Sequence, residues 1–239
     1  MICDFLFTTC SWRLSKQKHA FLLTNGICQA YIINNYVNNI SLMKIIELKK
    51  IKKFYFGYED ISRVLGVSAD SAKVTASRYT KQGILLRIKK NMYLLRDTWN
   101  AAVREDKLLL ANIGQIPSYI SLSTALDYYE ITTQIHRDFF ESVAIKRTKE
   151  IHINGSVFRY FKIAANLYDE FRKEKGIFIA TPEKALLDAF YLMSYGRYSL
   201  DLSSLDARKL DPNEIERLSR NYPIKTKNLL KKNGYLSKT

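Results

Sequence analysis

Apolar positions recur at helical spacing from residue 58 to residue 82, then gather into two short runs that end at residue 95. Glu59 to Leu65, a turn at Gly66-Val67 and Ser68 to Gln82 predict two short helices. Gly66 can take the positive φ required where the first helix ends, and Ser68 is a good N-cap for the second. In that second helix Ala72, Ala76 and Tyr79 share one stripe, which turns them inward and leaves Asp70, Ser71, Lys73, Val74, Ser77, Arg78 and Lys81 facing out. After Gly83, the runs Ile84 to Ile88 and Met92 to Leu95 flank Lys89-Lys90-Asn91, which predicts a hairpin with Asn91 in the left-handed turn conformation. Upstream, Lys44 to Lys53 reads as an amphipathic helix with Ile45, Ile46, Leu48 and Ile51 inside, followed by Phe54, Tyr55 and Phe56 as an aromatic plug for the core.

Beyond residue 98 the pattern becomes mixed. Residues 99–113 predict a linking helix, Ser121 or Ser123 can cap a helix through Ala125-Leu126, and Phe139 to Ile145 predicts a strand. Asn154-Gly155 between Glu150-Ile151-His152-Ile153 and Val157 to Phe161 is a strong hairpin signal, with Ser156 expected to lengthen or shift the turn. Gly176 to Ala180 predicts another strand, Thr181 caps a helix that opens with Pro182, and Asp211 caps Pro212 to Arg220. The fold class is therefore α+β. An N-terminal winged helix-turn-helix over residues 43–97 precedes a mixed α/β C-terminal domain over residues 98–239.

Charge sharpens this picture. The formal net charge is +15, and residues 43–99 carry 13 Lys and Arg against 5 Asp and Glu, whereas residues 100–239 carry 22 against 17. The denser basic excess around the helix pair makes double-stranded DNA the first candidate partner. Base reading is expected from Ser71, Lys73, Val74 and Ser77, phosphate anchoring from Arg78 and Lys81, and hairpin contacts from Arg87, Lys89, Lys90 and Asn91. Asp70 either caps its helix or accepts from a cytosine. No apolar run reaches the 18 residues that would suggest a membrane span.

Chemistry other than binding has little to stand on. His19, His136 and His152 are scattered and do not form a plausible metal set, and neither a Gly-rich phosphate loop nor a nucleophile elbow occurs. The Glu105-Asp106-Lys107 triplet lies in an expected helix rather than on a strand, and Glu183 and Asp188 fall about 140° apart around one helix. Glu183 is expected to serve the helix N-terminus and Asp188 the fold. No catalytic residue, cofactor or metal is therefore expected.

Three segments together carry a resemblance. The winged-helix stretch, Pro117 to Leu126 (PSYISLSTAL) and Ile179 to Asp188 (IATPEKALLD) resemble, in order and spacing, the AbiEi family of antitoxins from type IV toxin-antitoxin and abortive-infection systems. The resemblance implies a cytoplasmic transcriptional repressor that binds inverted repeats upstream of its own operon. It also implies a C-terminal antitoxin domain that counteracts a nucleotidyltransferase-type toxin, a phage-defence partner, without forming a stable complex. Family wings often carry glycine where Asn91 stands. Two alternatives remain open: a winged-helix regulator that senses a small ligand through its C-terminal domain, and a DNA-processing enzyme.

The first 42 residues differ from the rest. They hold Cys3, Cys10 and Cys28, sparse charge and four asparagines between Asn34 and Asn39, while Asp4 and a short apolar stretch make a poor signal peptide. This extension has no counterpart in the resemblance. Translation is expected to begin at Met43, so that the functional protein has no cysteine. Intact mass of the protein from its native host should correspond to a chain beginning at Met43; a mass that includes Met1 to Leu42 would overturn the expectation.

Overall fold

The computed structural model describes residues 42–134 and 137–237. The three cysteines, His19, His136 and the extension up to residue 41 lie outside them. A short helix, α1 (42–48), is followed by α2 (Tyr58–Leu65), α3 (Ala69–Lys81) and the antiparallel hairpin β1 (Leu85–Lys89) and β2 (Met92–Leu95). Gly66 closes α2 at φ 61°, and the Ser68 hydroxyl accepts from the Ser71 amide at 3.3 Å to start α3. Leu48, Phe56, Ile61, Ala72, Ala76, Tyr79, Leu85 and Leu95 form one buried cluster. Phe56 also extends the hairpin, exchanging backbone hydrogen bonds with Tyr93 at 2.9 Å each way.

The first helix is shorter than the sequence suggests. It stops at residue 48, so Leu48 is fully buried while Ile46, expected inside, is 52% exposed. Ile46 lies about 160° from Leu48 around the helix, so the two cannot share one buried face. Of the aromatic plug, Phe56 enters the N-terminal core, whereas Phe54 and Tyr55 pack against the larger C-terminal cluster.

The hairpin runs directly into α4 (Arg96–Asn100) and then α5 (Arg104–Gly114), which replace the single linking helix expected over 99–113. Val103 ends the break between them, its amide donating to Asp106 Oδ2 at 3.2 Å. The rest of the chain comprises β3 (Ser118–Ile120), α6 (Leu122–Tyr128), β4 (Phe139–Ala144), β5 (Lys149–Ile153), β6 (Ser156–Lys162), β7 (Phe171–Glu174), β8 (Ile177–Ala180), α7 (Pro182–Ser194), α8 (Pro212–Ser219) and α9 (Ile224–Lys232). The strands form one mixed sheet in the order β5-β6-β4-β3-β8-β7, parallel at β6–β4 and β3–β8 and antiparallel elsewhere. The turn between β5 and β6 is a two-residue Asn154-Gly155 loop with both φ positive, so Ser156 does not lengthen it but opens β6.

A fully buried ion pair organises the C-terminal region. Lys184 Nζ donates to Asp188 Oδ1 at 2.7 Å, to Leu167 O at 2.6 Å and to Tyr222 Oη at 2.6 Å, which uses all three of its protons. Asp188 accepts from Tyr222 on Oδ1 at 2.9 Å, and on Oδ2 from Tyr119 at 2.9 Å and Ser121 at 2.8 Å. Burial, and next the Asp188 charge, push the Tyr119 and Tyr222 hydroxyls well above their ordinary range, so both stay protonated as donors. Ser121 stands at the N-cap of α6, yet its hydroxyl serves Asp188 rather than the helix. Glu183 reaches beyond its own helix end to accept from the Asp211 amide at 3.1 Å.

Burying two ions costs several kcal/mol each unless every donor and acceptor is matched, and here they are. Replacing Lys184 by Met leaves the Asp188 carboxylate buried with no counter-charge. We expect a loss of about 3–5 kcal/mol in urea unfolding. A loss below about 1 kcal/mol would show that the pair does not hold the core together.

Candidate nucleic-acid interface

The seven residues predicted to face out from α3, Asp70, Ser71, Lys73, Val74, Ser77, Arg78 and Lys81, are all exposed. Val74 is 68% exposed, which leaves an isolated methyl pair on an otherwise polar face. Opposite it, Ala72, Ala76 and Tyr79 are fully buried. Side chains on this face are partly preordered. Lys73 Nζ bonds Asp70 at 2.9 Å and lies 5.2 Å from the centre of the Tyr58 ring, and the Asp70 bond raises the lysine's pKa. Arg78 lies 5.2 Å from the Tyr79 ring centre. Asp70 therefore neither caps α3, a role Ser68 fills, nor stands alone: it holds Lys73.

Two of the hairpin's four predicted contact residues, Asn91 and Lys89, bond within the protein. Asn91 does take the left-handed conformation, at φ 54°. Its amide, however, is occupied: Oδ1 accepts from the Tyr58 amide at 2.7 Å, and Nδ2 donates to both Glu59 carboxylate oxygens at 2.9 Å. Asn91 thus caps the start of α2 and ties it to the hairpin tip, which glycine at this position could not do. Lys89 is turned inward, donating to Ile113 O at 2.7 Å near the end of α5. Carbonyls in the last turn of a helix lack intrahelical partners, so a lysine there is favoured by both hydrogen bond and dipole. Burial, and then the charges of Lys149 and Lys146, lower the Lys89 pKa. Arg87 and Lys90 remain exposed.

Alternation along the hairpin explains the division. Leu85 and Leu95 pack into the N-terminal cluster, whereas Ile88 and Leu94 belong to the C-terminal one. The hairpin is apolar on both faces because each face meets a different core. The run Ile84 to Ile88 gives no sign of the second core, so the turn of Lys89 toward α5 was not legible in the sequence.

Comparison with known proteins gives a family-model match to the N-terminal segment. Residues 43–96 match the family model described as transcriptional regulator, AbiEi antitoxin. The matched segment covers α1 to the end of β2 and includes every residue predicted to meet DNA. Comparison with curated proteins finds no match. Among solved structures, the chain is similar to the crystal structure of the RV2827C protein from Mycobacterium tuberculosis, with a TM-score of 0.52 and 13% identity over 80% of this chain and 75% of that one. At that identity the likeness concerns the fold alone. No helix among the described residues is long and apolar enough to cross a membrane, and no group of three or more His, Cys, Asp and Glu side chains among them is arranged to hold a metal ion.

The Asn91 bridge yields a test. Glu59 is held below its ordinary pKa of 4.5, first by the Asn91 hydrogen bonds. A carboxyl lowered in the folded state adds stability above its ordinary pKa and loses it as pH falls through the folded value. Asn91→Gly keeps the backbone conformation but removes the bonds. The variant should lose about 1 kcal/mol for the Tyr58 amide bond at neutral pH, and should lose less further stability than the parent as pH falls below about 4.5. Parallel pH-stability curves for the two proteins would rule the bridge out.

Proposed function

We propose that this protein is a DNA-binding antitoxin of a type IV toxin-antitoxin system, a cytoplasmic repressor of its own operon that counteracts a nucleotidyltransferase-type toxin without a stable complex. The observation that carries the reading is the exposed face of α3, small, basic and partly preordered, on a segment that matches an AbiEi antitoxin regulator family. The helix pair and hairpin act as a winged helix-turn-helix. The α3 face enters a major groove. Ser71 and Ser77 permit close approach and hydrogen bonds to base edges, Val74 meets a thymine methyl, and Lys73, held by Asp70, reaches bases at the start of the helix. Arg78 and Lys81 anchor phosphates, and Arg87 and Lys90 supply the hairpin's own backbone contacts. The target is a pair of inverted repeats upstream of the gene, read by two copies related by a two-fold axis. The region from α5 onward carries the antitoxin activity.

The experiment is a mobility shift of the full chain on DNA from immediately upstream of its own gene, with excess nonspecific competitor. A competitor-resistant shift with a symmetric footprint supports the reading. Val74→Glu, at an exposed site, should leave the melting temperature within about a degree or two, since surface changes are usually within ±0.5 kcal/mol, yet weaken specific binding by about tenfold or more. Equal loss of wild-type binding to any competitor would overturn the operator reading.

A further inference from the structure

Two hydrogen bonds at the C-terminal end of α5 bring the hairpin and the β4–β5 loop to one place. Lys89 donates to Ile113 O at 2.7 Å, and two residues later Gln115 Nε2 donates to Arg147 O at 2.8 Å. On the far side of that loop, Arg197 donates to Thr148 Oγ1 at 3.2 Å and to Lys162 O at 3.0 Å. Lys149 stands opposite Tyr160, so it projects with Lys162 from the face of the β5–β6 pair that carries the Tyr160 bond to Ala111 of α5. Lys146, Arg147, Lys149, Lys162 and Arg197 therefore form a strip across the end of the six-stranded sheet, and the exposed Lys90, next to Lys89 in the chain, stands at its hairpin end.

None of these six side chains makes an ion pair among the described residues. Lys49, Lys50, Lys53, Arg63 and Lys73 of the helical module each have a carboxylate partner. The neighbouring carboxylate, Glu150, points to the opposite face of the sheet and is taken by Arg159 and His152. Clustered like charges with no counter-charge oppose folding, and a bound polyanion relieves them. The rings beside Arg197, Phe161 and Tyr198, pack edge to face against each other, so the strip offers backbone contacts rather than the stacking platform that single strands favour.

We propose that this strip is a second duplex-DNA backbone site, taking phosphates that flank the sequence read by α3, and that filling it clamps the hairpin onto α5. The proposal rests on the operator reading above. Phosphates at Lys146 and Lys149 neutralise the charges that repel Lys89, and Lys89 holds the last turn of α5. DNA binding and hairpin docking therefore reinforce each other, and the coupling is reciprocal.

The test uses the full chain and two duplexes, one limited to the inverted repeats and one extended by about ten base pairs on each side, a helical turn. Wild type should gain about tenfold or more in affinity on the longer duplex. The triple variant Lys146→Ala, Arg147→Ala, Lys149→Ala should lose that gain and keep its affinity for the short duplex. Its plot of log affinity against log salt on the long duplex should be shallower by about 2.7, the counterion release of three phosphate contacts. Amide exchange at residues 111–115 should slow on the long duplex in wild type and not in the variant. Lys146→Glu alone, at an exposed site, should act in the same direction if the triple variant melts lower. An unchanged gain and salt slope would overturn the proposal, as would loss of RNA binding with DNA binding intact. Absence of competitor-resistant binding to the short duplex by wild type would sink the operator reading instead. The salt slope on nonspecific duplex would still decide the strip.

Discussion

A lysine with every proton engaged and a carboxylate with both oxygens doubly bonded to donors sit at the centre of the C-terminal region. Through them α7 holds β3 by Tyr119, the entry to α6 by Ser121, the 3-10 turn at Leu167 and the approach to α9 by Tyr222. Such a pair tolerates no partial assembly, because any missing donor leaves charge in a dry interior. The order of elements around α7 follows from that requirement. It also accounts for the polarity of the Thr181 to Asp188 segment, whose charged residues point inward on a helix that is buried along most of its length.

The hairpin is where the two halves of the molecule meet. Its Leu85 and Leu95 complete the small helical core, and its Ile88 and Leu94 complete the large one. Trp99, just beyond it, packs edge-on against Phe158 of β6 at 6.2 Å. A segment that lies between two cores transmits strain from one to the other, because packed interiors do not deform continuously. At the hairpin's end, the Lys89 bond to the Ile113 carbonyl ties β1 to the last turn of α5.

Most of what is local was legible in the sequence. The Gly66 turn, the Ser68 and Thr181 caps, the Asn154-Gly155 turn and the left-handed Asn91 depend on a few adjacent residues, and each stands where backbone chemistry puts it. The outward face of α3 was legible for the same reason, since helical periodicity alone sorts its positions. Strands β3 and β7, three and four residues long, were missed because such short runs have no period to detect. The bond of Lys89 to α5 was not legible because its partner, Ile113, is distant in the chain.

The sequence by itself determined the helices, turns, caps and basic balance of the N-terminal module, because these rest on torsional preference and on spacing within a few residues. Only the tertiary structure decided that the hairpin has two buried faces, that Asn91 joins α2 and Lys89 joins α5, and that Lys146 and Lys149 lie near Lys89. Those facts depend on contacts between residues tens of positions apart, such as Arg197 with Lys162, 35 apart, and Lys89 with Ile113, 24 apart. No local pattern records them, since a lysine in a polar run looks the same whether it meets water, a helix end or a phosphate.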